Sequence, residues 1–253
     1  MRLLAALFLL LLAPLAAQSE EVVLGLSRDQ VSITTRFDGS EILIFGAVKR
    51  EAPIPQGSPL EVVITVAGPS QPVLVRKKDR VLGIWVNTEA VEVDLAPSFY
   101  AVASTGPLDE ILSDVEDLRH KITVPRAIRS VGAPHTIKDS ASFTEALIRI
   151  RSDRDLYQSL EGGVALDQQT LFRTAIRLPA NLTQGDYNTR IFLLRDGKLV
   201  STYETSIDVR KVGLERWLYS LSRQQPILYG LMSLAIAIAA GWGASAVFRL
   251  IRT

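Results

Sequence analysis

An uncharged apolar run near the C-terminal end constrains this chain more than any other feature of its sequence. No charged residue occurs in residues 226–248. At about 1.5 Å per residue, a helix of that length covers the roughly 30 Å of a bilayer's hydrocarbon core with a little to spare. The run therefore predicts a transmembrane helix, and a buried core helix is the weaker interpretation.

A second apolar run lies at the N-terminal end. Arg2 is followed by an uncharged leucine- and alanine-rich stretch and then by the small residues Ala16 and Ala17. This pattern predicts a secretory signal peptide over residues 1–17, cleaved after Ala17. A retained anchor is the alternative, although the run falls short of the ~20 residues that a spanning helix needs. Both interpretations place residues 18–225 outside the cytoplasm and residues 249–253 inside it.

Composition excludes several kinds of chemistry. The chain has 253 residues, no cysteine, two histidines and a net charge of +1. Without cysteine there is no disulfide and no thiolate metal site, and a charge near zero argues against a nucleic-acid partner. His120 is best interpreted as a cation at a helix C-terminus, and the role of His135 stays open. We therefore expect no catalytic, metal-binding or cofactor-binding residue.

Alternating apolar residues between positions 22 and 104 predict half-buried β-strands. They are Val31, Ile33, Thr35 and Phe37, then Leu60, Val62, Ile64 and Val66, then Val91, Val93 and Leu95. The pair Asp38-Gly39 is typical of a hairpin turn, and residues 42–45 are apolar on both faces, so we expect a hairpin that leads into a central strand. Short strands at this spacing indicate a sandwich or a barrel.

Two helices are predicted in the middle of the chain. The first follows Pro107, with apolar residues at helical spacing, acids in its first turn and bases in its last. Its apolar residues are Leu108, Ile111, Leu112, Val115 and Leu118. The second begins with a capping-box pattern at residues 142–145, continues through Leu160 and stops at Gly162-Gly163.

The β pattern returns after Gly163. Phe172, Thr174, Ile176 and Leu178 alternate, and a hairpin is expected across Asp196-Gly197. Residues 178–187 resemble the Gly-x-Tyr corner of immunoglobulin-like sandwiches. The fold class expected is mainly β: an immunoglobulin-like β-sandwich region with two inserted helices and one C-terminal transmembrane helix.

The chain thus divides into seven predicted segments. They are the signal peptide (1–17), an N-terminal β-sandwich region (18–105), a helical insertion (106–163), C-terminal strands that complete or abut the sandwich (164–211), an amphipathic juxtamembrane segment (212–225), the transmembrane helix (226–248) and a cytoplasmic tail (249–253).

Two sets of residues are predicted to act in the membrane. Aromatic rings favour the membrane–water interface, and the candidates are Trp217, Tyr219, Tyr229 and Trp242. Small residues that recur every three or four positions permit close helix–helix contact, and this stripe consists of Gly230, Ser233, Ala237, Ala240 and Ala244. An alanine-rich helix without a partner is the alternative interpretation of the stripe.

Weaker signals outside the membrane have two interpretations each. Arg149, Arg151 and Arg154 are interleaved with acids, which favours a solvated helix face over an anion site. Trp85, Phe99 and Tyr100 are more typical of core packing than of a ligand groove.

One segment carries a family resemblance. Residues 97–104 (Pro-Ser-Phe-Tyr-Ala-Val-Ala-Ser), followed by Pro107-Leu108, resemble a family of alphaproteobacterial transmembrane proteins, and the resemblance extends over nearly the full length. It implies a signal peptide, a β-rich periplasmic region and one C-terminal helix in the bacterial inner membrane. It also implies an integral membrane protein as partner, with a sulfite-exporter-type permease as a candidate.

The expected function is therefore that of a non-enzymatic, membrane-anchored accessory or scaffold protein. Its exported β-sandwich would bind a membrane-protein partner, and its helix would lie in the lipid bilayer. The alternative is a membrane-anchored receptor for a small exported ligand.

Overall fold

The computed structural model describes residues 20–27, 29–33, 39–50, 53, 57–130, 139–211 and 214–251. The strands are β1 (Glu20–Leu26), β2 (Gln30–Ile33), β3 (Ser40–Arg50), β4 (Glu61–Ala67), β5 (Ser70–Val81), β6 (Ile84–Pro97), β7 (Tyr100–Ser104), β8 (Tyr157–Leu160), β9 (Ala165–Asp167), β10 (Leu171–Leu178), β11 (Gly185–Arg195) and β12 (Lys198–Lys211). The helices are α1 (Leu108–Ile111), α2 (Asp114–His120), α3 (Val124–Ala127), α4 (Ala141–Ser152), α5 (Leu214–Gln224) and α6 (Pro226–Ile251). The predicted signal peptide and His135 lie outside the described residues.

Two sheets face each other across one core. The first has the strand order β1-β3-β10-β9 and the second has the order β2-β12-β11-β4-β7-β8. Ile44 and Phe172 of the first sheet pack in the same cluster as Ile64 and Ile191 of the second. The strands that follow Gly163 complete both sheets, because β10 pairs with β3 and β11 pairs with β4. The mainly β fold class predicted from the sequence is confirmed.

The six-stranded sheet is covered on its other face as well. Val63, Tyr100 and Phe192 point away from the first core and pack in a second one. The helices α1, α3 and α4, the residues between them and the inner part of the long β5–β6 hairpin contribute most of the rest of this second core. Strand β7 is consequently buried along its whole length, and β4 is buried at every position from Val62 to Val66.

The prediction of a hairpin across Asp38-Gly39 is wrong. Strand β2 pairs in parallel with β12 in the six-stranded sheet, whereas β3 lies between β1 and β10 in the four-stranded sheet. The chain therefore changes sheets at this point. The central position of β3 agrees with the sequence, although Leu43 and Phe45 on its outer face are exposed.

The first predicted helix is divided into two. Helix α1 ends because Leu112 is extended, and α2 begins at a new N-cap, Ser113, whose hydroxyl accepts a hydrogen bond from the Glu116 N–H. The restart changes the helical phase, so Leu108 and Ile111 are buried while Val115 and Leu118 are exposed. The sequence Ser-x-x-Glu at 113–116 was an available signal for this break.

The second predicted helix is too long at its C-terminal end. Helix α4 stops at Ser152, and Leu160 belongs to β8, which pairs in parallel with β7. The N-terminal side chain that caps the helix is Asp139, whose carboxylate accepts from the Ser142 N–H at 3.2 Å. Residues 157–160 therefore extend the six-stranded sheet where the sequence predicted helix.

The C-terminal segment consists of two consecutive helices. The amphipathic stretch predicted before the membrane is helical, as α5. Pro226 is the first residue of α6, where its missing N–H costs nothing. Backbone hydrogen bonds join the two helices, since the Gln225 N–H donates to Leu221 and its carbonyl accepts from Tyr229.

Candidate functional site

The segment that carries the family resemblance connects the two cores. Phe99 lies in the first core, 5.9 Å from the ring of Tyr187. Tyr100, the next residue, lies in the second core and its hydroxyl donates to the Ile122 carbonyl at 2.6 Å. The distinctive sequence at 97–104 is thus explained by packing on both faces of one sheet.

The carbonyl of Pro97 accepts hydrogen bonds from two side chains, one on β8 and one on α4. The Tyr157 hydroxyl donates to it at 2.8 Å, and a guanidinium N–H of Arg151 donates to it as well. The Arg151 guanidinium also lies 5.3 Å from the centre of the Tyr157 ring. Arg151 is therefore a structural residue, and only Arg149 and Arg154 fit the predicted solvated face.

The three aromatic residues considered as ligand-groove candidates separate into two groups. Phe99 and Tyr100 are 0% and 1% exposed, which confirms core packing. Trp85 is 68% exposed and packs in neither core. It lies near the tip of the β5–β6 hairpin, a surface that the sequence analysis missed.

An apolar surface covers the outer face of the four-stranded sheet. Val23, Leu43, Phe45 and Leu171 point away from the core and are each 43–56% exposed. Val23 and Leu171 pair with Ala47 on opposite sides of β3, so they form one continuous row. We call this set the outer-sheet patch; by rise and strand spacing it measures about 14 Å along the strands and about 10 Å across them.

Charged residues lie at the ends of the outer-sheet patch and also within it, because the exposed Arg173 pairs with Phe45 on the same face. Glu21 and Lys49 form an ion pair of 3.7 Å at one end, and Glu41 faces Arg177 across the strands at the other. Inside the patch, the Phe45 ring lies directly over Gly25, where a Cβ would be 2.4 Å from its Cε2 atom. The glycine therefore lets an aromatic ring lie flat on the sheet.

A separate cavity of about 650 Å³ lies in the helical layer. Its lining includes the apolar residues Val102, Leu108 and Ile148 together with four acidic residues. The acidic residues are Asp109, Asp114, Asp117 and Glu161. Asp117 has a structural role, because its carboxylate accepts hydrogen bonds from the N–H groups of Ile122 and Thr123 at 3.0 and 2.8 Å.

Helix α6 is exposed along its described length. It is the one helix among the described residues that is long and apolar enough to cross a membrane, and none of its window Pro226–Ser245 is buried. The family model described as "Putative transmembrane protein (Alph_Pro_TM)" matches residues 21–250. The chain belongs to this family. No curated protein matches it.

The family match covers both the β-rich region and α6 of this Alph_Pro_TM protein. It confirms the resemblance predicted from the sequence, and it supports anchoring in a membrane. The predicted signal peptide lies before the matched residues and stays a prediction.

All five residues of the small-residue stripe are exposed in the Alph_Pro_TM helix. At about 100° per residue they fall within an arc of roughly 80°. The Ser233 hydroxyl donates to the Tyr229 carbonyl at 2.9 Å, which satisfies it inside the helix. The stripe is therefore a smooth surface without an unsatisfied hydroxyl.

The four proposed interface aromatics are also exposed, by 38–73%. Trp217 and Tyr219 lie on α5, and Arg223 lies 5.9 Å from the Tyr219 ring. Tyr229 and Trp242 are about 20 Å apart along α6, which is less than the hydrocarbon thickness. A straight span therefore places only one of these two rings at a headgroup level.

One of the two histidines, His120, lies among the described residues. His120 ends α2, as predicted, with its Nε2 atom 3.4 Å from the buried carboxylate of Glu116. No group of three or more potential metal ligands occurs among the described residues.

Proposed function

We propose that this Alph_Pro_TM protein is a membrane-anchored accessory protein whose β-sandwich binds a membrane-protein partner. The observation that carries the proposal is the outer-sheet patch, an exposed apolar surface that has charged pairs at its ends and Arg173 beside Phe45. Apolar patches with polar rims are typical of protein-binding surfaces. Phe45 would be the central anchor, since its ring lies flat and already desolvates Gly25.

The stripe on α6 supports the same proposal from within the membrane. Small residues allow the backbones of two helices to approach closely, and lipid supplies no other strong drive for association. A partner with its own membrane helices would contact both the stripe and the outer-sheet patch. An integral membrane protein therefore fits better than a soluble partner, and a sulfite-exporter-type permease is one candidate.

We place the sandwich in the periplasm and the C-terminus in the cytoplasm of a single-pass protein of the bacterial inner membrane. The supporting observation is the order of the two apolar segments: an N-terminal signal-peptide pattern comes first and a span follows the β-rich region.

We interpret the sandwich as immunoglobulin-like on two grounds. The two sheet orders, β1-β3-β10-β9 and β12-β11-β4, correspond to the arrangement of the A-B-E-D and G-F-C strands. The Tyr187 hydroxyl donates to the Thr183 carbonyl at 2.8 Å, as in the tyrosine corner. Sandwiches of this kind serve as binding modules on many cell surfaces.

The test is a comparison of variants in native membranes. The tagged full chain, solubilised in mild detergent, should co-purify with one integral membrane protein in a fixed ratio. Replacing Leu43 and Leu171 by Lys should abolish that association, because both side chains lie in the outer-sheet patch. The matched control is Val200→Lys, which charges an apolar residue of similar exposure, 39%, on another strand. An equal effect of both changes would contradict the proposal.

The cavity favours a second candidate function, a receptor for a small ligand. A lining of apolar and acidic residues fits an amine that carries an apolar tail. Titration of the full chain in detergent with straight-chain alkylamines should then show saturable binding. Ser159→Trp, which fills the cavity from an exposed lining position, should remove it, while Ser201→Trp should not.

A further inference from the structure

The β5–β6 hairpin extends well beyond the second core. Its inner part packs there through Val75, Val91 and Val93. Every residue from position 76 to position 90 is exposed except Val86, which is half-buried. Six residues separate Val75 from the end of β5, so the outer part of the hairpin projects by about 20 Å. We call residues 76–90 the arm.

The tip of the arm is apolar. Val81, Leu82, Ile84 and Trp85 are 46%, 99%, 65% and 68% exposed. Leu82 and Gly83 form the turn with φ values of 51° and 90°, a geometry in which Asn, Asp or Gly is preferred at both positions. Leucine at the apex is unfavourable both for backbone conformation and for exposure in water. Burial of Leu82 against another surface would explain why a leucine occurs at this position.

Cations lie directly behind the tip. Residues 76–90 contain four basic and two acidic side chains. Arg76, Lys78 and Arg80 alternate along β5 and therefore share one face, and Trp85 pairs with Arg80 on that same face. Lys77 is neutralised on the other face by Glu89, at 3.6 Å. The arm thus combines an apolar apex, an aromatic ring and a row of positive charge.

A lipid bilayer is the occupant that this combination fits. Aliphatic side chains at a hairpin tip can enter the acyl region of a bilayer, tryptophan favours the membrane–water interface, and Arg and Lys bind anionic headgroups. The sandwich is tied closely to α6, since only residues 212–225 separate β12 from α6. With α5 helical, that connection spans roughly 20 Å, which matches the projection of the arm.

We propose that the arm is a second membrane contact, in which the tip inserts into an anionic lipid surface and Arg76, Lys78 and Arg80 bind its phosphates. This contact is independent of the partner proposed for the outer-sheet patch. It would hold the sandwich at a fixed orientation above the bilayer in which α6 is anchored.

The experiment uses the absence of cysteine from the chain. Leu82→Cys and Thr88→Cys each give one site for a nitroxide label, and both positions are exposed on the arm. The full chain is reconstituted in vesicles of phosphatidylethanolamine and phosphatidylglycerol, and the accessibility of each label to oxygen and to a water-soluble nickel chelate is measured. The Leu82 label should be at least fivefold less accessible to the chelate than the Thr88 label. Equal accessibility of the two labels would overturn the proposal.

Two further measurements separate lipid from other occupants. In the Leu82→Cys protein, replacing Arg76, Lys78 and Arg80 by Gln, or using phosphatidylcholine vesicles, should weaken the shielding at least twofold. Unchanged shielding would overturn the role assigned to the phosphates. Dilution of the protein with lipid should leave the shielding unchanged, and a loss on dilution would show that a second copy covers the tip. Association of the Leu43→Lys/Leu171→Lys protein with its partner tests the other proposal separately.

Discussion

The ring of Phe172 occupies the space where residue 46 would carry a side chain. A Cβ on Gly46 would be 2.5 Å from Cζ of Phe172 and 2.6 Å from the Val23 carbonyl oxygen. The ring could rotate away, but the carbonyl belongs to the pairing of β1 with β3 and cannot. Gly46→Ala should therefore lower the free energy of unfolding by about 1–3 kcal/mol, as overpacking of a core does.

Chemical denaturation of the full chain in detergent measures this loss. Gly106→Ala is the matched control, because its nearest contact would be 3.4 Å away, from a side-chain methyl of Ile111. The control should stay within about 0.5 kcal/mol of the parent. Equal stability of the Gly46→Ala protein would contradict the close approach.

Glu20 forms ion pairs with two arginines at one end of the sandwich. Its Oε1 atom accepts from Arg50 at 2.7 Å and from Arg195 at 2.9 Å, and all three side chains are at most 14% exposed. Glu20→Ala would leave two buried guanidinium groups without their carboxylate, and should cost about 3–5 kcal/mol.

The adjacent pair supplies the control for this change. Glu21 and Lys49 belong to the same two strands, but their side chains are 70% and 60% exposed. Exposed pairs contribute roughly 0–1 kcal/mol, so Glu21→Ala should change the unfolding free energy by that amount at most. Thermal unfolding of both variants decides whether burial or charge pairing accounts for the difference.

Three buried tyrosines predict a loss of stability at alkaline pH. Burial raises the pKa of Tyr100, Tyr157 and Tyr187 to about 12 from the ordinary value of 10.0. Between these values the unfolded chain releases protons that the folded chain keeps, so stability is fully present below pH 10 and falls as the pH rises to 12. The loss is about 2–3 kcal/mol for each tyrosine by pH 12.

Unfolding free energies measured from pH 8 to pH 12 test this profile. Tyr157→Phe should lower stability by about 1 kcal/mol at pH 8, since the hydrogen bond to Pro97 is lost, and should make the decline above pH 10 shallower by about one third. A parallel decline in parent and variant would mean that Tyr157 does not contribute to it.

The small-residue stripe predicts a directional effect within the membrane. Ala237→Leu with Ala240→Leu should dissociate the partner complex by filling the contact, while the protein stays in the membrane. Ala235→Leu with Ala239→Leu makes the same chemical change on the opposite side of α6, at about 100° per residue, and should leave the complex intact. Detergent co-purification of both double variants measures this, and equal losses would argue against a stripe.

Topology can be tested at two positions. A reporter after Thr253 should behave as cytoplasmic, and a reporter in the exported region should behave as periplasmic. Ser70 follows a Gly-Pro turn pattern but is the first residue of β5, so an insertion there would interrupt a strand. Gly57 is a better site because no described residue lies within 4 Å of its Cβ position. The reverse result would defeat the signal-peptide interpretation.

The period-2 pattern predicted individual strands well but not their partners. Phe172, Thr174, Ile176 and Leu178 are all buried, as their alternation indicates. The Asp196-Gly197 hairpin is present, with positive φ at both residues. The pairing of β2 with β12 could not be predicted, because it depends on residues about 180 positions apart and has no local signal.

Burial on both faces of the six-stranded sheet also exceeded what the pattern could show. Val63 interrupts the alternation of β4, and its burial depends on the helical layer that packs over it. Trp85 was predicted to pack in the core because aromatic residues in strands usually do. It lies instead near the start of β6, on the outer part of the hairpin that packs in neither core. The five residues of the small-residue stripe stay a prediction; their spacing on a helix is enough to place them on one face.

Phe99 and Tyr100 are consecutive residues that belong to different cores. If either layer unfolded, one face of β7 would be exposed to water, because β7 is buried on both faces in the folded protein. The other layer packs on the same strand and would lose its support. The β-rich region should accordingly melt in a single transition, in which the helical layer and the sandwich unfold together. A protease would therefore encounter either the fully folded or the fully unfolded region, because no partly folded species would be populated for it to cleave.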